Sequence, residues 1–383
     1  NHSKSGCTVF PRRYLSCVRP LAEQRLAIYC ITHEVCCTLG HPAQEAGVAA
    51  VEFWRVMLSV AGQSAAVART TEAHGWNGLA FTDSQNANGD CYVALGIAAH
   101  STQSLMLGTG VTNPGTRHPS VIASAIATIQ VESRGRAMLG IARGDSAMHR
   151  IGLEPLPLAA FRKSLDQIQT YLRGEPVDID GYPSRLDWLP QAGLPKVPVS
   201  VAATGPKVIE LAAQLAERVT FSLGARPDRL RWAIEYAREA RAAAGLDPSS
   251  LSCGAYVNAV AHPDVKRARD MVRGGLLVHF RFSTWNSETM KTLAPEDRVV
   301  AQRVAAERAN PGAIVHSQMA ALDDDFVDRF AVVGPSDAVA ERLGALVVLG
   351  LDHLMILATR GDPALVAEVS QRFGEEVIPQ VTR

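Results

Sequence analysis

Eight short apolar runs, rich in β-branched residues, alternate along this chain with longer alanine-rich stretches of helical period. The apolar runs are residues 53–60, 78–82, 105–110, 136–141, 197–202, 218–223, 253–260 and 353–358. The clearest helical stretches are residues 63–74, 92–100, 120–132, 158–172, 207–215, 228–244, 265–278 and 364–373. Strands that alternate with helices build βαβ units and a parallel sheet. Eight such units predict the α/β class and, within it, a (β/α)8 TIM barrel.

The spacing of these units is uneven. Residues 279–335 form a long mixed segment before the last strand, with helical character over 294–309. This segment predicts an insertion between strands 7 and 8, of the kind that barrels carry as lids or side subdomains.

Residues 1–50 differ in character from the rest. They show no sustained strand or helix period, and they hold five of the seven cysteines, namely Cys7, Cys17, Cys30, Cys36 and Cys37. The apolar stretch at 26–30 is too short and interrupted for a secretory signal. We therefore expect residues 1–50 to be an N-terminal extension outside the barrel, and residues 51–383 to be the barrel domain.

Charge and cysteine usage exclude several function classes. Lys plus Arg and Asp plus Glu number 38 each, so the chain has no net charge with which to attract nucleic acid or an anionic membrane. No apolar stretch has the length of a membrane span. No cysteine pair has the CxxC spacing of a zinc site, so no metal is expected, and the barrel part has the character of a reduced, cytoplasmic protein. The expected partner is a small-molecule substrate.

Candidate site residues follow the strands, because the active site of a barrel lies at the carboxyl ends of its strands. Asp83 follows strand 2 and Asp145 follows strand 4; each suits acid/base work or the capping of the next helix. The turn from Thr204 through Pro206 begins a helix, and the free backbone N–H groups there are suited to binding an anion. Arg143 and Arg226 either assist that anion or lie on the surface. His118 either lines the pocket or orders the loop after strand 3.

Several common catalytic motifs are missing. The sequence has no GxSxG elbow, and it lacks GxGxxG and GxxxxGK[ST] in a strand–turn–helix context. A serine hydrolase, a Rossmann dinucleotide site and a P-loop are therefore disfavoured.

Five strand-end motifs, in this order and spacing, resemble the bacterial luciferase-like superfamily. They are Thr82-Asp83, the run Leu107-Gly108-Thr109-Gly110-Val111-Thr112-Asn113-Pro114, Arg117-His118-Pro119, the run from Gly140 to Asp145, and Ala203-Thr204-Gly205-Pro206. Within the superfamily the chain is most similar to the branch that uses coenzyme F420, a deazaflavin, and there to methylenetetrahydromethanopterin reductase-like enzymes. The similarity extends over about residues 53–380.

The resemblance implies a (β/α)8 barrel with an insertion, a homodimer, and hydride transfer between C5 of the deazaflavin and a carbon of an organic substrate. It implies a cis peptide bond between Gly110 and Val111, behind the deazaflavin ring at the mouth of the barrel. It assigns catalytic roles to Asp83 and Asp145. The cofactor-binding residues that it implies are Gly110, Val111, Thr112, Asn113, Arg143, Gly144, Thr204, Gly205, Pro206 and Ser222.

Two alternatives remain open at this stage. The first is a luciferase-like monooxygenase that uses FMN in place of F420, and the second is a non-catalytic flavin-binding partner subunit. Ser84 and Ala225 stand where sugar-phosphate dehydrogenases of the family have a histidine and a lysine, so a sugar phosphate is disfavoured as substrate.

Overall fold

Eight parallel strands form the frame of the protein. The computed structural model describes residues 51–284, 287–309, 315–357 and 362–382. The strands are β1 Glu52–Leu58, β2 Gly78–Thr82, β3 Met106–Thr109, β4 Ala137–Ile141, β5 Val199–Ala203, β6 Arg218–Phe221, β7 Ser252–Ala261 and β8 His353–Leu357. Each strand pairs with the next along the chain, and β8 pairs with β1, so the sheet closes on itself. The predicted (β/α)8 barrel is confirmed.

Helices surround the strands, and some of them begin at a side chain that caps the first turn. They are α1 Ser64–Ala73, α2 Cys91–Ser101, α3 Pro119–Glu132, α4 Ser146–His149, α5 Leu158–Leu172, α6 Pro206–Leu215, α7 Pro227–Ala243, α8 Val265–Ser283, α9 Ser287–Lys291, α10 Pro295–Ala309, α11 Val315–Ala320, α12 Asp324–Phe330, α13 Ser336–Val347, α14 Pro363–Arg372 and α15 Ile378–Val381. Asp90 caps α2 by accepting from the backbone N–H of Tyr92 and Val93, and Asp264 caps α8 through Arg267. Within the described ranges, no helix is long and apolar enough to cross a membrane.

The connection from β7 to β8 contains α8 to α13 and a short strand, Val332–Gly334, which pairs with the end of β7. Helices α8, α10 and α12 share an apolar core in which the ring centroid of Phe280 of α8 lies 4.6 Å from that of Phe326 and 5.2 Å from that of Phe330. This packing carries α8 five residues beyond its predicted end at position 278. That the connection is an inserted lid or subdomain stays a prediction, as does the separate extension at residues 1–50, which lie outside the described residues.

A tryptophan fills the inside of the barrel. The fully buried indole of Trp54 packs with apolar side chains from other strands, including Met138 and Met355. A Cβ at Gly78 would overlap the indole, and one at Gly108 would lie 3.2 Å from it. The two glycines therefore make room for Trp54 on the strands that face it.

Candidate active site

A cavity of about 720 Å³ opens at the carboxyl ends of the strands, which is within the range of about 300–1,000 Å³ usual for small-molecule sites. All twelve predicted site residues line it: Asp83, Gly110, Val111, Thr112, Asn113, Arg143, Gly144, Asp145, Thr204, Gly205, Pro206 and Ser222. The structure thus brings every one of them to a single place, although their individual roles stay predictions.

The wall formed by the end of β3 is shaped by its backbone. The peptide bond between Gly110 and Val111 is cis, as the resemblance predicted. Thr109 Oγ1 donates a 2.7 Å hydrogen bond to the carbonyl of Gly140 on β4, and the N–H of Thr112 donates to the same carbonyl at 2.9 Å. These bonds hold the end of β3 and its loop against β4.

Asp83 is buried, and its carboxylate is already occupied by neighbouring donors. Thr112 Oγ1 donates to Oδ2 at 2.7 Å, and Arg117 donates to Oδ2 from Nε at 3.2 Å and to Oδ1 from Nη2 at 3.4 Å. Arg117 also binds Asp90, the cap of α2, at 2.7 Å. The arrangement ties the loop after β3 to β2 and α2.

Asp145 contacts two basic side chains at the cavity wall. His149 Nδ1 lies 2.9 Å from Asp145 Oδ1, and Arg281 of α8 donates to Oδ2 and to Ser146 Oγ. The side chain of His149 is 43% exposed, whereas that of Asp145 is 10% exposed. The Arg281 contact also joins α8 to the loop after β4.

The residues between these two acids shape the same loops. Arg143 donates from Nε to the carbonyl of Leu156 at 2.6 Å, and its partial burial lowers its pKa. Asn113 Oδ1 accepts from the backbone N–H groups of Gly115 and Thr116. Gly144 has a φ of +84°, and a Cβ there would also crowd Met148. A larger residue at Gly144 would therefore displace the wall.

The turn before α6 presents a helix N-terminus to the cavity. Gly205 is the cap residue of α6 and offers no side chain, so the first backbone N–H groups of the helix lack a side-chain acceptor from the cap. Thr204 and Lys207 line the cavity beside it. The turn is suited to an anionic group of a ligand.

Sequence reasoning missed an aromatic group on the far side of the cavity. The imidazole of His279 stacks on Tyr256 of β7, with centroids 6.1 Å apart and planes at 23°, and meets Phe282 edge-on at 5.7 Å. Burial, and then the charge of Arg281, lower the pKa of His279 to about 4. His279 and Phe282 are three residues apart, a spacing that places both on one face of a helix. The sequence did not indicate this shared face because the helix was predicted to end at position 278.

Two residues considered from the sequence have other roles. Arg226 lies outside the cavity wall and pairs with Asp228 and with the buried Asp297, so it is not available to an anion there. His118 caps α3, accepting from the N–H of Ser120 at 3.3 Å. In the described part of the chain, no group of three or more His, Cys, Asp or Glu side chains is arranged to hold a metal ion.

A family model described as luciferase-like monooxygenase matches residues 37–353. The chain belongs to the luciferase-like monooxygenase family. A 5,10-methylenetetrahydromethanopterin reductase of Methanolobus tindarius is 29% identical in sequence to this chain over 300 residues. The aligned part covers 75% of the chain and 87% of the relative. An F420-dependent glucose-6-phosphate dehydrogenase of Beutenbergia cavernae is 29% identical over 75% of the chain and 81% of the relative.

Solved structures share the fold. The coenzyme F420-dependent tetrahydromethanopterin reductase of Methanopyrus kandleri superposes with a TM-score of 0.69 at 23% identity, covering 87% of the chain and all of that structure. An F420-dependent secondary alcohol dehydrogenase gives a TM-score of 0.68 at 16% identity, with 87% of the chain and all of that structure covered.

Proposed function

We propose that this protein is a coenzyme F420-dependent oxidoreductase that transfers hydride between C5 of the deazaflavin and a carbon centre of an organic substrate. The single observation that carries the proposal is that all twelve residues expected from the F420-using branch line one cavity at the mouth of the barrel. The names of two similar relatives, both F420-dependent glucose-6-phosphate dehydrogenases, support the same cofactor.

The cavity fits such a cofactor. Its floor is apolar, with Val56, Val111, Ala202 and Leu357 at the inner end, and suits a flat ring. Its rim offers the N-terminus of α6, which suits a phosphate. Ser84 Oγ lines the cavity, buried and without a hydrogen-bond partner in the protein, so a ligand can supply one. When bound, the deazaflavin supplies the hydride donor or acceptor.

Asp145 is the better of the two acids for the proton that accompanies the hydride. Both oxygens of Asp83 accept hydrogen bonds from Arg117, and its carboxylate is buried. Asp145 also has an arginine, Arg281, on one oxygen, but its other oxygen lies beside the half-exposed His149, which would pass protons between Asp145 and solvent. We therefore assign proton handling to Asp145 and a structural role near the cofactor to Asp83.

An absorbance titration of the full chain with F420 and, separately, with FMN tests the cofactor. Deazaflavin binding near 420 nm at micromolar concentration, with no saturable flavin binding, is the expected result. Tight FMN binding with oxygen consumption would instead make the protein a flavin monooxygenase. Binding of neither cofactor would reject the oxidoreductase.

A homodimer is part of the proposal. The neighbouring helices α2 and α3 carry apolar side chains on their outer faces, with Val93 64% exposed and Val121 51% exposed, and with Ile97 and Val131 beside them. Such a patch is typical of a protein interface. Light scattering after size-exclusion chromatography should give a mass twice that of one chain. The double variant Val93→Glu/Ile97→Glu should lower the measured mass toward that of one chain. A wild-type protein that runs as a monomer would contradict the dimer.

A cytoplasmic location completes the proposal. In the part of the chain that the structure describes, Cys91 and Cys253 are buried free thiols, and burial raises the pKa of both. Unpaired thiols are typical of a reducing compartment. A fluorescent fusion that fills the cytoplasm is the expected result, and one confined to the cell exterior would overturn it.

A further inference from the structure

We propose that His279 contacts the substrate and donates a hydrogen bond to the oxygen or nitrogen atom at the reacting carbon. The substrate class that follows is a flat, uncharged compound with a carbonyl or imine group. The inference rests on the proposed F420-dependent function, and it adds the group that recognises the substrate.

The topology puts His279 opposite the wall expected to lie behind the cofactor. In a closed ring of eight strands, β3 and β7 are four strands apart in either direction, so they face each other across the barrel. The cis Gly110–Val111 bond is at the end of β3, whereas Tyr256 is on β7 and His279 is on the helix that follows β7. Gly110 and Val111 would hold the cofactor ring, and His279 lies on the opposite side of the barrel.

Packing fixes the plane of the imidazole. Tyr256 stacks against one face, and Phe282, three residues further along α8, meets the ring edge-on. Ser222 Oγ lies 3.4 Å from Nδ1. When the Ser222 hydroxyl donates to Nδ1, the ring proton is on Nε2, and that tautomer makes Nε2 the hydrogen-bond donor.

The imidazole is uncharged at neutral pH, because burial and the neighbouring Arg281 both lower its pKa, to about 4. Arg281 in turn binds Asp145. His279 therefore acts by donating a hydrogen bond and keeps its own proton through the reaction. An uncharged donor between two aromatic rings selects a neutral acceptor with a flat apolar body over a phosphate or carboxylate.

The reduction of a carbonyl substrate balances with these groups. The reduced deazaflavin, when bound, would supply the hydride that the carbonyl carbon gains and would itself be oxidised, while the π electron pair of the C=O bond would move to oxygen. The hydrogen bond from His279 stabilises the charge that develops on that oxygen. The oxygen then takes a proton supplied through Asp145 and His149, and the product is the alcohol.

A chromophoric aldehyde, 4-(dimethylamino)cinnamaldehyde, tests this assignment without turnover. Its absorption moves to longer wavelength when its carbonyl oxygen accepts a hydrogen bond, so both the shift and the Kd report on His279. The titration is done on the full chain with and without oxidised F420. We expect a red-shifted bound spectrum for the wild type and for His279→Gln, which keeps a neutral donor.

The informative variant is His279→Leu, which keeps the apolar bulk and removes the donor. We expect it to bind the aldehyde about three- to tenfold more weakly and with no red shift, since one net hydrogen bond is lost. Lys266 lies near the start of the same helix with its side chain 84% exposed, and Lys266→Leu is the control that should behave as the wild type.

A red shift that survives in His279→Leu would overturn the assignment, and so would an aldehyde that fails to bind the wild type. Melting curves identify any variant that fails to fold; if His279→Leu is one of them, His279→Phe, which also removes the donor, takes its place. If F420 does not bind, the proposed function fails, but the aldehyde spectrum of the cofactor-free protein still tests His279.

Discussion

Asp83 directly follows β2, whereas Asp145 lies four residues after the end of β4, and the two carboxylates have different neighbours. Arg117 and Thr112 enclose the carboxylate of Asp83, which supports the structural role that we propose for it. Asp145 has Arg281 on one oxygen and the half-exposed His149 on the other. The residue type alone could not distinguish the roles that we propose for the two acids. The distinction depends on Arg117 and Arg281, which are 34 and 136 positions away from Asp83 and Asp145 along the chain.

The substitution Asp145→Asn should lower kcat for hydride transfer by about 10²- to 10⁴-fold, because an amide cannot pass a proton to the substrate. The Kd for F420, measured by absorbance, should stay within a few-fold of the wild type. An unchanged kcat under conditions where chemistry limits the rate would remove Asp145 from proton handling.

The substitution Asp83→Asn should act mainly on stability and cofactor affinity. It leaves the guanidinium of Arg117 with one carboxylate partner, Asp90, and weakens the tie to Thr112. Urea unfolding should show a loss of about 1–3 kcal/mol, less than for a fully buried pair because Arg117 is 22% exposed. A variant with wild-type stability and a large drop in kcat alone would reverse the assignment of the two acids.

At the scale of elements, the site depends on how closely β3 and β4 approach. A Cβ at Gly140 would overlap the carbonyl oxygen of Thr109, one residue before the cis Gly110–Val111 bond. Backbone atoms cannot move aside as a flexible side chain can. Gly140 therefore fixes the place of the β3 wall from the neighbouring strand.

Replacing Gly140 by Ala should separate the two strand ends, reduce the free energy of unfolding by about 1–3 kcal/mol, and weaken F420 binding. Gly344 is the matched control, since it lies inside α13 and a Cβ there meets open space. Gly344→Ala should be neutral or stabilising by up to about 1 kcal/mol, because alanine is the better helix former. Equal behaviour of the two variants in urea unfolding would contradict the role of Gly140.

Strand and helix positions could be predicted from the sequence because buried parallel strands are continuous apolar runs, and helices begin at Asp and Pro. The run at 137–141 is buried at every position, and the predicted and observed strands differ there by one residue. Helix ends were harder to predict. The end of α8 depends on Phe280 packing against Phe326 and Phe330, a contact between distant segments that periodicity cannot reveal. The site residues on α8, His279 and Phe282, were missed for the same reason.

At the scale of the whole molecule, the closed barrel buries titratable groups that no local pattern marks. His353 at the start of β8 is fully buried, 2.9 Å from Thr220 Oγ1 and 3.2 Å from Ser252 Oγ. Burial, and then the charge of Arg218, hold its pKa well below the usual value of 6.5. The folded protein therefore keeps this histidine neutral, as it does His279.

The free energy of unfolding should fall as the pH is lowered from about 6.5 toward 4. In this window the unfolded chain binds protons at His353 and His279, whereas the folded chain does not, so acid favours unfolding. Above about pH 6.5 both histidines are neutral in both states, and their contribution to stability is complete. Urea unfolding at several pH values measures the slope.

His353→Gln should reduce that slope by up to one proton, about 1.4 kcal/mol per pH unit. His100→Gln, on the surface, is the control and should leave the slope nearly unchanged. A His353→Gln protein with the wild-type slope would show that His353 takes up a proton in the folded state.

The indole of Trp54 fills the space that a side chain at Gly78 would need, since a methyl group at Gly78 would overlap the ring. Evolution therefore cannot change these two positions independently. Where a homologue has acquired alanine or serine in place of Gly78, we expect a smaller residue in place of Trp54, and the ancestral order of those changes should begin with the loss of the tryptophan.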